Sequence, residues 1–185
     1  MNKKIFLLPA LLLMLFAFFS CNETNGVDEY ANWQNRNQTF IDSLQNVIDT
    51  KSNPNLFVVP LMSTTKYKIY AEKVAGYNEI GSRPLDTDTV QVYYRGKLIN
   101  GEVFDQCFTG VNPSPEFDVP FKTVVGSGVI TGWTEVLRQM KKGERWIVYI
   151  PHQLAYGTAG SGKILGYSTL IFDMNLVNIW SPKGK

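Results

Sequence analysis

The chain has 185 residues, with 18 lysines and arginines against 16 aspartates and glutamates, so its formal net charge is +2. This length fits one domain of ordinary size with additional segments, and no basic patch with interleaved aromatic residues supports nucleic-acid binding. His152 is the single histidine, which excludes a histidine-based catalytic triad and a histidine-rich metal site.

Residues 1–20 have the organisation of a secretory signal peptide. Lys3 and Lys4 form a basic start, and residues 5–19 are apolar. The run is too short for a membrane-spanning helix, which needs about 18 or more apolar residues. Cys21 follows, and this placement resembles bacterial lipoprotein signals, in which the cysteine becomes the lipidated N-terminus. We therefore expect a protein of the cell envelope, anchored in a bacterial membrane through Cys21; an uncleaved anchor helix is the alternative.

Residues 21–55 are predicted to form a short tether and one helix. The helix is expected from Asp28 to Asp49, with Asp28 as its cap and Asn53-Pro54 as its stop. Its apolar stripe comprises Trp33, Phe40, Ile41, Leu44, Val47 and Ile48, at spacings of three, four and seven residues. The stripe packs either on the following domain, which we favour, or on a second copy of the chain in a homodimer.

Residues 56–182 are predicted to form one α+β domain. Apolar residues alternate with other residues around Ile69, Val92, Val148 and Phe172, which is typical of strands. The pair Asn100-Gly101 indicates a hairpin, and a short helix is expected from Thr131 to Met140. We expect a curved antiparallel sheet of about five to six strands, wrapped around this helix and preceded by the N-terminal helix.

A series of short motifs then follows in one order along the domain. The motifs are Tyr94-Arg-Gly96, Gly101-Glu-Val-Phe104-Asp105, Pro120-Phe121, Gly126-Ser-Gly-Val-Ile-Thr-Gly-Trp133, Met140-Lys-Lys-Gly143-Glu144, Ala155-Tyr156-Gly157 and Leu170-Ile-Phe172-Asp173. In this order they resemble the FKBP-type peptidyl-prolyl cis-trans isomerases over residues 67–180. The resemblance implies the FKBP-like fold for residues 56–182.

The resemblance also implies an aromatic pocket that receives a prolyl peptide. Trp133 is its floor, the backbone N–H of Ile130 binds a substrate carbonyl, and a segment after Gly157, the flap (residues 158–167), closes over one side. The implied catalytic residues are Tyr94, Phe104, Asp105, Trp133, Tyr156 and Phe172. The implied substrate-binding residues are Phe121, Val129, Ile130, Ala155, Ile164 and Leu165.

Such a pocket has a physical rationale for isomerisation. Rotation about an X-Pro bond loses amide resonance against a barrier of about 18–20 kcal/mol, and the uncatalysed step is slow. The planar amide is more dipolar than the twisted one, so transfer into an apolar pocket destabilises the ground state more than the transition state. This chemistry requires no nucleophile, general base, metal or other cofactor, and its partners are proline-containing polypeptides.

Three departures from the family pattern leave two hypotheses open. Residues 106–119 form a long loop without the arginine that commonly pairs with the pocket aspartate, Ser161 replaces a frequent histidine, and the flap ends in Ile164-Leu165-Gly166-Tyr167 rather than a proline-rich run. The chain is then either an isomerase that assists folding of exported proteins or a non-catalytic binding or chaperone module. A 106–119 loop across the pocket mouth with Tyr167 pointing inward would favour the module.

Overall fold

The computed structural model describes residues 30–77 and 80–182, so the predicted signal segment, Cys21 and Asp28 lie outside the described residues. The elements in chain order are α1 (Trp33–Thr50), β1 (Leu56–Val59), β2 (Ile69–Lys73), β3 (Thr89–Lys97), β4 (Val103–Gln106), β5 (Phe121–Val124), α2 (Thr131–Leu137), β6 (Arg145–Ile150), a 3-10 turn (His152–Leu154), β7 (Gly160–Ser161), β8 (Ile164–Leu165) and β9 (Leu170–Trp180). Within these ranges no helix is long and apolar enough to cross a membrane.

Seven strands form one sheet in the order β1-β2-β6-β9-β3-β4, with β5 also paired to β3. All neighbours are antiparallel. The fold class α+β is therefore confirmed. The sheet has more strands than the predicted five to six, because β4 and β5 share one edge of the long strand β3 and β1 is a strand of its own. The small hairpin β7–β8 stands apart from this sheet.

The predicted hairpin around Asn100-Gly101 joins β3 to β4. Leu98 N–H donates to the carbonyl of Glu102 (2.9 Å), and Gly101 N–H donates to the carbonyl of Leu98 (2.9 Å). Gly101 has φ +90°, a conformation that glycine adopts without a steric penalty. The loop is Ile99 to Gly101, one residue longer than a two-residue turn, and it aligns β4 so that Asp105 lies opposite Gly96.

Helix α2 is short and packs with its apolar side on the sheet. It ends at Leu137 rather than at the predicted Met140, although Met140 is still fully buried. A Cβ atom at Gly132 would lie 2.4 Å from Cγ2 of Ile150, so the glycine permits the close approach of α2 to β6. This approach places Trp133, 4% exposed, in the core.

Helix α1 packs on the sheet of its own chain. Leu44 is buried with Leu56 and Tyr70, and the Phe40 ring lies 5.8 Å from the Tyr149 ring between centroids. The helix begins at Trp33, after Asn32 in the left-handed conformation, and it ends at Thr50, before Lys51 with φ +53° rather than at Asn53-Pro54. The favoured interpretation of the apolar stripe agrees with this packing, and the homodimer stays a prediction.

The buried carboxylate of Glu135 fixes α2 to the rest of the domain. It accepts hydrogen bonds from the backbone N–H groups of Met62 (2.6 Å) and Ser63 (3.1 Å) and pairs with Arg138 (2.8 Å). Arg138 also forms a two-pronged ion pair with Asp86, with both N···O distances 2.7 Å. Because two donors and a cation converge on a side chain that is 0% exposed, their loss leaves buried polar groups unpaired.

We predict that Glu135→Ala lowers the free energy of unfolding by about 2–3 kcal/mol, since Arg138 retains Asp86 but the N–H groups lose their acceptor. Denaturant titration followed by tryptophan fluorescence measures this change. The control is Glu116→Ala, at an exposed loop position, for which we expect a change within about 0.5 kcal/mol. Equal effects of the two substitutions would contradict the role of Glu135.

Candidate active site

A cavity of about 180 Å³ opens at the surface beside the N-terminus of α2. Its lining residues are Tyr94, Phe104, Asp105, Phe121, Gly128, Val129, Ile130, Trp133, Tyr156 and Phe172. The structure thus brings together all six implied catalytic residues and three of the six implied substrate-binding residues. They come from β3, β4, β5, β9, the start of α2 and the turn after β6.

The base of the cavity is a set of aromatic rings packed edge to face. The Trp133 ring lies 5.1 Å from the Tyr94 ring and 5.2 Å from the Phe172 ring between centroids, at interplanar angles of 82° and 85°. Aromatic pairs prefer this arrangement, which is worth about 0.5–1.5 kcal/mol beyond area burial. The floor and one wall are consequently held in fixed orientations.

Gly96 makes room for the opposite wall, although the sequence analysis did not place it in the site. The Phe104 ring lies 5.5 Å from the Phe172 ring. A Cβ atom at position 96 would lie 2.4 Å from Cζ of Phe104 and 2.8 Å from Cε1 of Phe172. The signal available in the sequence was a glycine inside a strand, which often marks a close approach. Gly128 likewise lines the cavity and was missed.

The polar edge of the cavity is the hydrogen bond between Tyr94 and Asp105. The hydroxyl of Tyr94 donates to Oδ2 of Asp105 over 2.6 Å. Burial of the Tyr94 ring, followed by this hydrogen bond and the negative charge of Asp105, raises the pKa of Tyr94 well above its ordinary value. The phenol therefore stays protonated as a donor, and it holds the exposed Asp105 carboxylate at the rim.

The backbone of Ile130 offers a second polar group at the cavity lip. Its carbonyl accepts hydrogen bonds from the N–H groups of Trp133 (3.0 Å) and Thr134 (3.3 Å), which start α2. Within residues 30–77 and 80–182, no group accepts a hydrogen bond from Ile130 N–H. This donor is available to a ligand carbonyl in the cavity.

Ala155, Ile164 and Leu165 lie outside the cavity lining, which differs from the sequence-based expectation. Ala155 packs against the core. Successive side chains of a strand point to opposite faces, and in β8 the Ile164 side chain is buried in the core, whereas Leu165 is 42% exposed. Neither side chain of β8 therefore contributes to the lining of the cavity.

Tyr167 does not cover the cavity either. It has φ +65°, and its ring packs against the half-buried ring of His152 at 5.2 Å. Its backbone N–H donates to the carbonyl of Gly157 (2.9 Å). Ser161 is exposed on β7. The end of the flap is thus folded back towards the 3-10 turn.

The 106–119 loop is held away from the cavity by Phe108, which is 1% exposed. The guanidinium groups of Arg95 and Arg145 lie 4.4 Å and 5.6 Å from its ring centroid. Arg95 donates to the carbonyl of Gly110 (2.6 Å) and Arg145 to the carbonyl of Val111 (2.9 Å). The sheet supplies the cations that the loop lacks, and no loop residue lines the cavity.

The arrangement suits binding and desolvation rather than covalent chemistry at a nucleophile. In the described part of the chain, no three histidine, cysteine, aspartate or glutamate side chains are grouped as metal ligands. What the cavity provides is an apolar surface, a phenol fixed by Asp105 and the N–H of Ile130. These groups suit a neutral peptide, whose apolar part packs on the rings and whose carbonyl accepts a hydrogen bond.

We predict that Tyr94→Phe makes the free energy of unfolding fall less steeply with pH above about pH 10. Above about pH 10, the ordinary tyrosine pKa, the unfolded chain releases the Tyr94 proton while the folded chain keeps it, so stability falls as pH rises. Removing this hydroxyl should reduce the slope by up to about 1 kcal/mol per pH unit. Denaturant titrations between pH 8 and pH 11 measure it; parallel curves for variant and parent throughout would contradict it.

A family model described as FKBP-type peptidyl-prolyl cis-trans isomerase matches residues 81–177, more than half of the chain. The chain is 44% identical over 100 residues to the FKBP-type 22 kDa peptidyl-prolyl cis-trans isomerase of Escherichia coli (strain K12), covering 54% of this chain and 45% of that protein. It is 39% identical over 130 residues to the outer membrane protein MIP of Legionella longbeachae, covering 70% of this chain and 49% of the relative. The chain spans about half the length of these curated relatives.

Solved structures show the same fold. The crystal structure of FkpA from Escherichia coli matches with a TM-score of 0.59 and 29% identity, over 80% of this chain and 63% of that one. A peptidyl-prolyl cis-trans isomerase of Pseudomonas syringae matches with a TM-score of 0.59 and 26% identity, over 81% of this chain and 95% of that one. Together with the cavity and the family model, these matches establish that the chain belongs to the FKBP-type peptidyl-prolyl cis-trans isomerase family.

Proposed function

We propose that this chain is a peptidyl-prolyl cis-trans isomerase that acts on proline-containing polypeptides exported to the cell envelope. The observation that carries the proposal is the open cavity of about 180 Å³ walled by Tyr94, Phe104, Trp133 and Phe172. An apolar cavity of about 150 Å³ accepts benzene. A prolyl ring is smaller than benzene, so it fits in this cavity together with part of its peptide bond.

The proposed mechanism combines desolvation with one directed donor. A prolyl amide inside the ring set loses the water that favours its planar, dipolar form, which lowers the free energy needed to reach the twisted form. Ile130 N–H binds the carbonyl of the substrate and so fixes one side of the rotating bond. Asp105 and Tyr94 form the polar edge where the other side of the bond can turn.

The geometry of the mouth favours turnover over binding alone. A binding-only module was expected to have the 106–119 loop across the opening and Tyr167 pointing inward. Instead the loop is anchored on the sheet through Phe108, and Tyr167 packs on His152. A substrate can therefore enter and leave.

The alternative function, a holdase that grips unfolded chains, has one observation in its favour. Three apolar side chains of the long loop are exposed to solvent: Val111 by 86%, Phe117 by 79% and Val119 by 79%. Exposed apolar surface often marks a protein-binding site. A holdase would use this surface without needing the cavity.

We predict that the full chain accelerates cis-to-trans isomerisation of a proline-containing tetrapeptide and that Phe104→Ala lowers kcat/KM at least about tenfold, equivalent to about 1.4 kcal/mol of transition-state stabilisation. The protease-coupled assay measures this. Phe117→Ala is the matched control, because it removes the same side chain from the loop outside the cavity and should leave kcat/KM unchanged.

Circular dichroism must first show that the parent and both variants are folded. A folded parent protein without acceleration at micromolar concentration would overturn the enzyme proposal. Suppression of aggregation of an unfolded protein by that same inactive parent, lost in Phe117→Ala, would establish the holdase instead.

We also propose that the chain is tethered to a bacterial membrane through a lipid on Cys21. Support comes from the basic start, the apolar run and the cysteine that follows them, and from the relative that is named an outer membrane protein. Two acyl chains or one chain with a second signal are needed for stable anchoring. The lipid would hold the isomerase close to exported polypeptides as they fold.

We predict that Cys21→Ser abolishes incorporation of labelled palmitate and moves the chain from the membrane fraction to the soluble fraction of bacteria that express it with residues 1–20. Cys107→Ser is the control, since Cys107 lies in the domain itself and its removal should leave labelling unchanged. Undiminished labelling of the Cys21 variant would rule out this anchor.

A further inference from the structure

We propose that the first turn of α1 positions the flap, and through it Tyr156, for substrate binding. The residues that do this are Trp33 and Asn37 of α1 and Ser168 and Thr169 after the flap; we refer to them as the α1–flap contact. The proposal rests on the proposed function, because Tyr156 is one of the residues that line the cavity. It assigns the N-terminal helix a role in the site itself.

The first part of the α1–flap contact is a relay through one hydroxyl. Nε1–H of Trp33 donates to Oγ of Ser168 over 2.9 Å, and this hydroxyl donates in turn to the carbonyl of Leu165 over 2.7 Å. Trp33 is 6% exposed and Ser168 is 2% exposed. A buried hydrogen bond that loses one partner costs more than it contributed when formed, so the relay strongly favours one position of β8.

The second part is the amide side chain of Asn37, which is 1% exposed. Its Nδ2 donates to the carbonyl of Trp33 (2.8 Å), and its Oδ1 accepts from the backbone N–H of Thr169 (2.7 Å). The same side chain thus orders the helix turn and the chain that leaves the flap. These two parts together fix residues 165–169 to α1.

From there, backbone hydrogen bonds lead to the cavity. Tyr167 N–H donates to the carbonyl of Gly157 (2.9 Å), and Gly160 N–H donates to the carbonyl of Tyr156 (3.2 Å). Tyr156 lines the cavity while it is 41% exposed. On its other side, the N–H groups of Ala155 (3.0 Å) and Gly157 (2.8 Å) donate to the carbonyl of His152. The position of Tyr156 therefore depends on the 3-10 turn and on where the flap is held.

Apart from the packing of the Tyr167 ring on His152, the flap has few other contacts that hold its position. The β7–β8 hairpin consists of two residue pairs, and most flap side chains are exposed, with Ile164 as the buried exception. Segments with few buried contacts open at low free-energy cost. Tyr30 extends the attachment of the helix start to the β3–β4 turn, since its hydroxyl donates to Oε2 of Glu102 (2.5 Å). The start of α1 thus contacts both the chain that leaves the flap and the turn that joins β3 to β4, the strands that carry Tyr94 and Phe104.

The test compares native-state hydrogen exchange and steady-state kinetics of the full chain and Ser168→Ala. We expect the Tyr167 and Thr169 amides to exchange at least about tenfold faster in the variant, and the β6 and β9 amides to be unchanged. If loosening leaves about a third of molecules with Tyr156 in place, KM for the tetrapeptide rises about threefold at unchanged kcat.

Two further variants sharpen the test. Leu44→Ala removes a contact of α1 with Leu56 and Tyr70, away from the flap, so it should leave the relative exchange of Tyr167 and Thr169 and the KM unchanged. Trp33→Phe removes the donor but keeps most of the ring, and it serves if Ser168→Ala does not fold. In the double variant the effect should not exceed that of Ser168→Ala, because that substitution already removes the hydrogen bond from Trp33.

Each result decides the proposal. Faster exchange confined to the flap together with a higher KM supports it. Unchanged exchange, exchange that rises equally in β6 and β9, or faster flap exchange with an unchanged KM overturns it. If the parent protein lacks isomerase activity, the proposed function fails, and KD of a proline-containing tetrapeptide measured by fluorescence replaces KM for the α1–flap contact.

Discussion

Packing of the Trp133 indole between Tyr94 and Phe172 joins the helix to the sheet and at the same time forms the floor of the cavity. The indole can hold that place only while α2 is fixed, and a helix of seven residues does not persist by itself. Its stability comes from tertiary contacts. These are the hydrogen bonds that the Glu135 carboxylate accepts from the chain before β2, the ion pair of Arg138 with Asp86, and the close approach of α2 to β6 at Gly132. The cavity floor and the core are therefore formed by the same residues, so a substitution there changes both the stability of the domain and the shape of the cavity.

The central strands and the second helix were predictable because each has one face in the core. In β3, in β6 and in the first half of β9, burial largely alternates, so the sequence period of two was informative. Strand β2 is instead buried at its first three positions. Strands β1, β4 and β5 have four residues each, too few to show a period. The pairing of β1 and β5 depends on the neighbouring strand, which no local pattern encodes, whereas the Asn100-Gly101 turn predicts the pairing of β4 with β3. The start of α1 was likewise misplaced, since Asn32 enters the helix in a left-handed conformation.

The residues of the site also fall into two groups: those that short sequence motifs predict, and those whose position depends on contacts distant in sequence. Motif order was sufficient to name the ring set, because the strands that carry these residues have fixed registers. It did not place Ile164 and Leu165, because the flap is held by contacts with residues more than a hundred positions earlier, as between Trp33 and Ser168. Ala155, which precedes the flap, packs against the core and lies outside the lining. Gly96 was missed for another reason: its contribution is empty space, which becomes visible only once the neighbouring rings are placed.

The long 106–119 loop shows why a departure from the family pattern need not reach the cavity. Extending a surface loop costs little, since each doubling of length adds only about 0.6 kcal/mol of closure entropy. The cost here is offset by Phe108, buried between the guanidinium groups of Arg95 and Arg145, and Arg145 is itself paired with Asp173 over 2.6 Å. Arg95 and Arg145 are thus committed to the loop and to β9. Asp105 is left to the Tyr94 hydroxyl, and because that phenol keeps its proton, the polar edge of the cavity does not require an arginine.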